Sequence, residues 1–187
     1  LYGSQPSYRT LEWLHQPNYD SNRNWGANSE SATRLYRRLM DNADFRRQFL
    51  DRAAVYMGDF LNERGCREVW DPMYDMVKVE YPHHRVLYNA WWPNYSTELS
   101  NARQWLNRRT DLFYQQLADY YGLGTPTVLT VNKTLDDQQL SGMTVSINGV
   151  ALSRGSMDGK FFAGRRVTLT AQGGAAGGVT GWQVVRT

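Results

Sequence analysis

A single cysteine, Cys66, stands in the whole sequence. An intrachain disulfide is therefore excluded, and stability rests on noncovalent packing. Histidine is almost as scarce, with His15, His83 and His84. Neighbouring helix positions point about 100° apart, so His83 and His84 are poorly placed to chelate one metal, and Cys66 is far in sequence from any histidine. No zinc-type spacing, Gly-rich phosphate loop or Gly-Xaa-Ser-Xaa-Gly elbow occurs. The sequence also lacks a run of about 20 apolar residues, a signal-peptide pattern and a lipidation motif. It begins at Leu1 in a stretch bearing Gly3, Ser4 and Pro6. The expectation is a piece of a longer exported protein whose targeting signal lies elsewhere.

The net charge is +3 and the isoelectric point near 9.0. Lys133, Arg154, Lys160, Arg165, Arg166 and Arg186 against Asp136, Asp137 and Asp158 place that excess in the tail and leave the rest neutral. Six scattered cations form no dense basic stripe, so they read as a solvated surface and nucleic acid is not an expected partner.

Composition changes sharply at Pro126. Ten of the 16 glycines follow it, whereas six of the seven tryptophans precede it. The first part, rich in Trp, Tyr, Leu and Arg, suits large side chains wedged between helices; the second, rich in Val, Thr and Gly, suits strands and turns. The expected fold class is therefore α+β: a mainly α-helical module over 1–125, followed by a small all-β module over 126–187.

Residues 1–28 hold many turn formers and read as irregular structure with one short helix. Ser29 or Ser31 can cap a helix running to about Met40, with Leu35, Leu39 and Met40 at helical spacing. Asn42 can cap the next. There Phe45, Phe49, Ala53, Tyr56 and Phe60 recur at steps of four and three and define an expected buried face, while Arg46, Arg47, Asp51, Arg52, Asp59 and Glu63 mostly take the opposite one. Gly65 is expected to stop this helix and Asp71-Pro72 to start another, with Met73, Met76 and Val77 as its apolar face until a break at Tyr81-Pro82. Ser96 should cap the longest helix, whose stripe Leu99, Ala102, Leu106, Phe113, Leu117 and Tyr120 continues for about seven turns. Gly122 and Gly124 end it. Strands are expected at 128–131, 144–147, 150–152, 161–162, 167–170 and 179–185, with a tight hairpin at Asn148-Gly149 and an exposed loop over 173–178.

Chemistry-bearing groups are few. Asp20 ahead of Asn24-Trp25-Gly26, and Asp71 with Asp75, are the acidic groupings with a claim on a metal or a proton; Asp71 also fits a capping role. Arg67 beside Cys66 could lower the thiol pKa, against the plainer reading of a structural thiol. The Trp91-Trp92-Pro93 loop, with Trp25, Tyr88 and Tyr95, has two readings. Flat amphipathic rings stack on sugar faces, and they also plug crevices between helices. The ligand-binding candidates are Trp25, Trp91 and Trp92; no catalytic or metal-ligating residue is assigned.

The helical part resembles the C-terminal portion of the spore coat protein H (CotH) kinase-like family. The resemblance rests on Arg34-Leu-Tyr-Arg-Arg-Leu-Met-Asp-Asn-Ala-Asp-Phe-Arg-Arg-Gln-Phe49, on the tyrosine, proline and two histidines at 81–84, and on Trp91 to Arg109. It spans about residues 29–121. It implies a parent with an atypical kinase-like fold that binds ATP and a divalent cation through acidic residues, including an Asp-Xaa-Asp motif. Asp20 to Gly26 departs from that motif, since the second aspartate is missing, so no catalytic residue is carried over and no cofactor is expected in this piece. The tail, through Gly164-Arg-Arg-Val-Thr-Leu-Thr-Ala171 and Gly181-Trp182, is similar to small β repeats of bacterial surface proteins. The resemblances imply a bacterial, extracytoplasmic protein with protein or glycan partners at the cell surface.

Overall fold

A computed structural model describes residues 6–16, 30–87, 95–132, 134–135, 138–139, 142–154, 156–173 and 182. The class is α+β: helices first, then a small β part. The helices are α1 (Thr10–His15), α2 (Glu30–Asp41), α3 (Ala43–Asp59), α4 (Glu63–Val77), α5 (Tyr81–Leu87) and α6 (Tyr95–Tyr121). The strands are β1 (Pro126–Asn132), β2 (Thr134–Leu135), β3 (Gln138–Gln139), β4 (Met143–Ile147), β5 (Val150–Ala151), β6 (Ser156–Phe162) and β7 (Leu169–Gly173). All described pairings are antiparallel: β1 with β6, β2 with β3, and β4 with both β5 and β7.

Local chemistry explains most boundaries. The Asn42 side chain accepts the N–H groups of Asp44 and Phe45 and so starts α3. Gly122, at φ +61°, ends α6 in the left-handed conformation that glycine adopts without strain. Asn148 and Gly149 both take positive φ, and Ile147 pairs with Val150 across them, which is the two-residue hairpin their sequence demands. Tyr81-Pro82 does mark a break, and α5 starts there with proline in its first turn.

Several expectations are corrected. Gly65 does not stop α3, which ends at Asp59; it lies in the first turn of α4. The Asn62 side chain accepts the Gly65 N–H at 2.9 Å, and a Cβ on Gly65 would run into the Phe60 carbonyl. The glycine is needed for close approach. Pro72 does not open a helix but sits inside α4. The helix runs on through it at the cost of one main-chain bond and of the ring's crowding against the carbonyl one turn back. α6 begins at Tyr95, so Ser96 lies within it and not at its cap. The longest missed strand residues are 156–160, where Gly159 and two charges hide the pattern. Residues 174–181 and 183–187, which carry most of the expected loop and last strand, lie outside the described residues.

The buried face of α3 also differs from the aromatic stripe. Leu50, Ala54, Val55, Gly58 and Asp59 are buried, Phe49 and Ala53 are half-buried, and Tyr56 and Phe60 are exposed. Small side chains are what allow this. A Cβ on Gly58 would lie 2.6 Å from the Gly159 Cα and 2.9 Å from the Asp158 carbonyl, so α3 rests backbone-to-backbone on β6. Around this contact one buried cluster joins Leu11, Leu50, Ala54, Val55, Tyr114 and Leu117 of the helices to Val131, Val145, Ile147, Met157, Phe161 and Phe162 of the strands. Met73, Met76 and Val77, expected on an apolar face, are more than half exposed.

Gly58→Ala should therefore destabilise the chain by about 1–3 kcal/mol in urea unfolding, because strand backbone cannot move aside as a side chain can. This holds although alanine gains about 0.8–1 kcal/mol of helix propensity over glycine. Gly159→Ala should lose less, since its Cβ would meet only the ends of Met157 and Phe161. A stabilised Gly58→Ala chain would contradict the packing. Tyr114 gives a second test. Its hydroxyl donates to the Ala54 carbonyl at 2.9 Å and accepts the Lys160 N–H at 3.3 Å, and burial pushes its pKa up to about 12. A pKa raised on folding supplies stability that is complete below the unfolded value near 10 and fades as pH rises toward the folded value. Stability should fall by about 2–3 kcal/mol between pH 10 and 12 through this group. Tyr114→Phe should show a shallower alkaline loss; an unchanged slope would contradict the assignment.

Candidate functional site at the helix–strand junction

A dense polar arrangement lies where α3 ends, α4 begins and β6 passes. Asn62 organises the corner. Its amide donates to the Gly58 carbonyl at 2.6 Å and the Asp59 carbonyl at 3.3 Å, while its oxygen caps α4, so one side chain satisfies the orphan groups of two helix ends.

Asp59 is 1% exposed. One carboxylate oxygen accepts the Ser153 N–H at 2.7 Å, and the other is buried without a partner among the described residues. Its main-chain carbonyl accepts from Arg154 Nη1 at 2.9 Å, and Arg154 Nη2 reaches the Glu68 carboxylate of α4. One arginine thus bridges the two helices from the β side. Asp59, expected from its helical position on the solvent face, is buried instead. The adjoining Gly58 was the available signal, because glycine in a helix interior marks a place where another backbone comes close.

A cleft of about 740 Å³ opens beside this corner. It is lined by the carboxylates of Glu63, Glu68, Asp71 and Asp158 and by Arg64 and Arg67, with Gly58, Asn62 and Pro72. Arg67 lies between Glu63 at 3.3 Å and Asp71 at 3.5 Å, Glu68 pairs with Arg154, and Asp158 accepts the Thr130 hydroxyl at 2.6 Å. Every lining carboxylate therefore has a cationic or hydroxyl partner. The exposed pairs are worth little each. Together they make a wall whose carboxylates are already engaged within the molecule, suited to holding elements together.

Asp71 is engaged by Arg67 within α4 and has no capping role, and Asp75 pairs with Lys78. Neither meets a third acidic group or a histidine: among the described residues no set of three or more His, Cys, Asp or Glu is placed to hold a metal. Burial pushes the Cys66 thiol up, with Arg154 opposing more weakly, as the plainer reading of a structural thiol expects. His15 packs its ring against Tyr36, Tyr120 and Tyr121, its Nδ1 on the Leu11 carbonyl at 2.8 Å. His83 faces Glu80 at the surface. The candidates Trp25, Trp91 and Trp92, with Asp20 to Gly26, lie outside the described residues.

No family model, curated protein or solved structure matches this chain.

Asp59→Ala should lower unfolding stability by about 1.5–3 kcal/mol, the range for a hydrogen bond to a charged group. Arg154→Ala, whose partner Glu68 is half exposed, should lose about 1 kcal/mol. Matched urea titrations in which Arg154→Ala proves the more damaging would show that Asp59 is not the anchor.

Proposed function

We propose that this chain is a non-catalytic piece of a bacterial surface or secreted protein of the CotH kinase-like type, a helical scaffold with a β unit fixed to it. The observation that carries the reading is the use of the tail's positive charge. Arg154, Lys160 and Arg165 pair with Glu68, Asp111 and Asp51 of the helices, the last two at 2.6 and 2.9 Å. Arg165 adds a bond to the Arg47 carbonyl at 2.9 Å. Three of the cations that make the tail basic thus act within the molecule, which argues against a polyanionic partner and for a fixed spacer. The resemblance over residues 29–121 covers α2 to α6. In this reading the parent binds ATP and its divalent cation through residues outside this chain.

A cell-surface binding protein for glycans or proteins, without kinase activity, is the second reading. Val69, Met73, Met76 and Val77 favour it, forming an exposed apolar strip on α4. Among the described residues no helix is long and apolar enough to cross a membrane, so this strip is not read as a span.

Calorimetric titration of the purified chain with ATP and Mg²⁺ should give no saturable heat. A Kd in the micromolar range, about −8 kcal/mol of binding free energy, would place a nucleotide site within these residues and overturn the scaffold reading.

A further inference from the structure

Residues 6–10 are tied to α6 in an unusual way. Two of their main-chain bonds are local, Thr10 N–H to the Tyr8 carbonyl and Trp13 N–H to the Arg9 carbonyl. Two side chains of α6 attach them to the helix. Arg109 Nη1 donates to the carbonyls of Pro6 and Tyr8, both at 2.7 Å, and Nη2 donates to the Thr10 hydroxyl at 2.8 Å. Gln116 Nε2 donates to the carbonyls of Ser7 and Tyr8, both at 3.1 Å. Positions 109 and 116 are seven apart, about two turns, and so share one face. Four of the five bonds end on main-chain oxygens, which every residue possesses.

Two further features set this pair apart from ordinary packing. Among the described residues no carboxylate pairs with Arg109; its guanidinium lies over the Phe113 ring at 5.5 Å, and its donors go to carbonyls. Gln116 is 8% exposed, and its Oε1 is buried with no partner among the described residues. An amide facing a peptide chain can donate to C=O and accept from N–H. The present occupant supplies only the first, leaving an acceptor unfilled at real cost.

We propose that Arg109 and Gln116 form a receptor for the main-chain carbonyls of a polypeptide turn, with residues 6–10, a turn that runs into α1, as its resident, displaceable occupant. The ligand class is a peptide that presents carbonyls two residues apart to Arg109, offers an N–H to Gln116 Oε1, and continues into an apolar side chain for the place that Leu11 fills. Recognition of carbonyls is indifferent to sequence. The Leu11 position, 2% exposed in the shared core, adds the selectivity.

Hydrogen exchange on the full chain tests the attachment. Arg109→Ala should accelerate exchange of the α1 amides by about tenfold or more and leave α3 and β6 unchanged, as expected for local release. Arg109→Lys keeps the charge but not the two-pronged donor, and should give a smaller acceleration at the same amides. Unchanged α1 exchange, or equal acceleration in α3 and β6, would overturn the proposal. The receptor itself is tested in trans with a fluorescent peptide matching residues 6–16, titrated into the Leu11→Ala chain, whose resident segment is weakened. Anisotropy should saturate, and adding Arg109→Ala should weaken binding by about tenfold or more, the loss of one strong charge-assisted contact. Absence of saturation up to about 1 mM, or binding indifferent to Arg109, would overturn it.

Discussion

The approach of Gly58 to Gly159 is the constraint on which the remaining architecture depends. A helix normally meets a strand through side chains. Here α3 and β6 meet with no side chain between them at that point. Flanking residues can then close around the contact: Ala54 and Val55 on the helix, Met157, Phe161 and Phe162 on the strand. Tyr114 of α6 also reaches both, through Ala54 and Lys160. The buried cluster therefore runs through the helical and β parts without interruption, although composition divides them at Pro126.

Polar groups reinforce the same seam. Asp59 and Arg154 link the end of α3 to the loop after β5, while Lys160 with Asp111 and Arg165 with Asp51 add ties from β6 and the segment after it. Partly exposed pairs contribute modestly to stability. Their larger effect is orientation, because they fix which faces of helix and strand meet. The basic character of the tail, read as a solvated surface from the sequence, is in large part an internal complement to helix carboxylates.

Much of the fold was legible because single residues carry decisive local chemistry. Asn42 as a cap, Gly122 as a stop and Asn148-Gly149 as a turn each act through their own backbone or side chain, and each is found where expected. What failed depended on partners distant in sequence. Gly65 looked like a helix end because a glycine's local meaning is a stop, whereas its place is set by the Phe60 carbonyl. The aromatic stripe of α3 outweighed Ala54 and Gly58, yet the small residues mark the buried side. Asp59 looked solvated for the same reason: Gly58 marks that side as closely approached, but nothing local tells that Ser153 and Arg154 are the groups that reach it. The Met73, Met76 and Val77 stripe has sound helical spacing but no neighbour among the described residues buries it. At the candidate site, the expected aromatic residues and the ones that build the cleft are different sets. The cleft residues are ordinary charges of α4, and only the fold gives them a common wall.

With one core shared between them, the helices and strands have no independent stability, since each alone would expose half of it. Urea unfolding followed by amide NMR tests this directly by comparing the midpoints of α3 and β6. Coincident midpoints with a single m value are predicted, as for a two-state unit. Strand amides that lose protection well before the helix amides would contradict it.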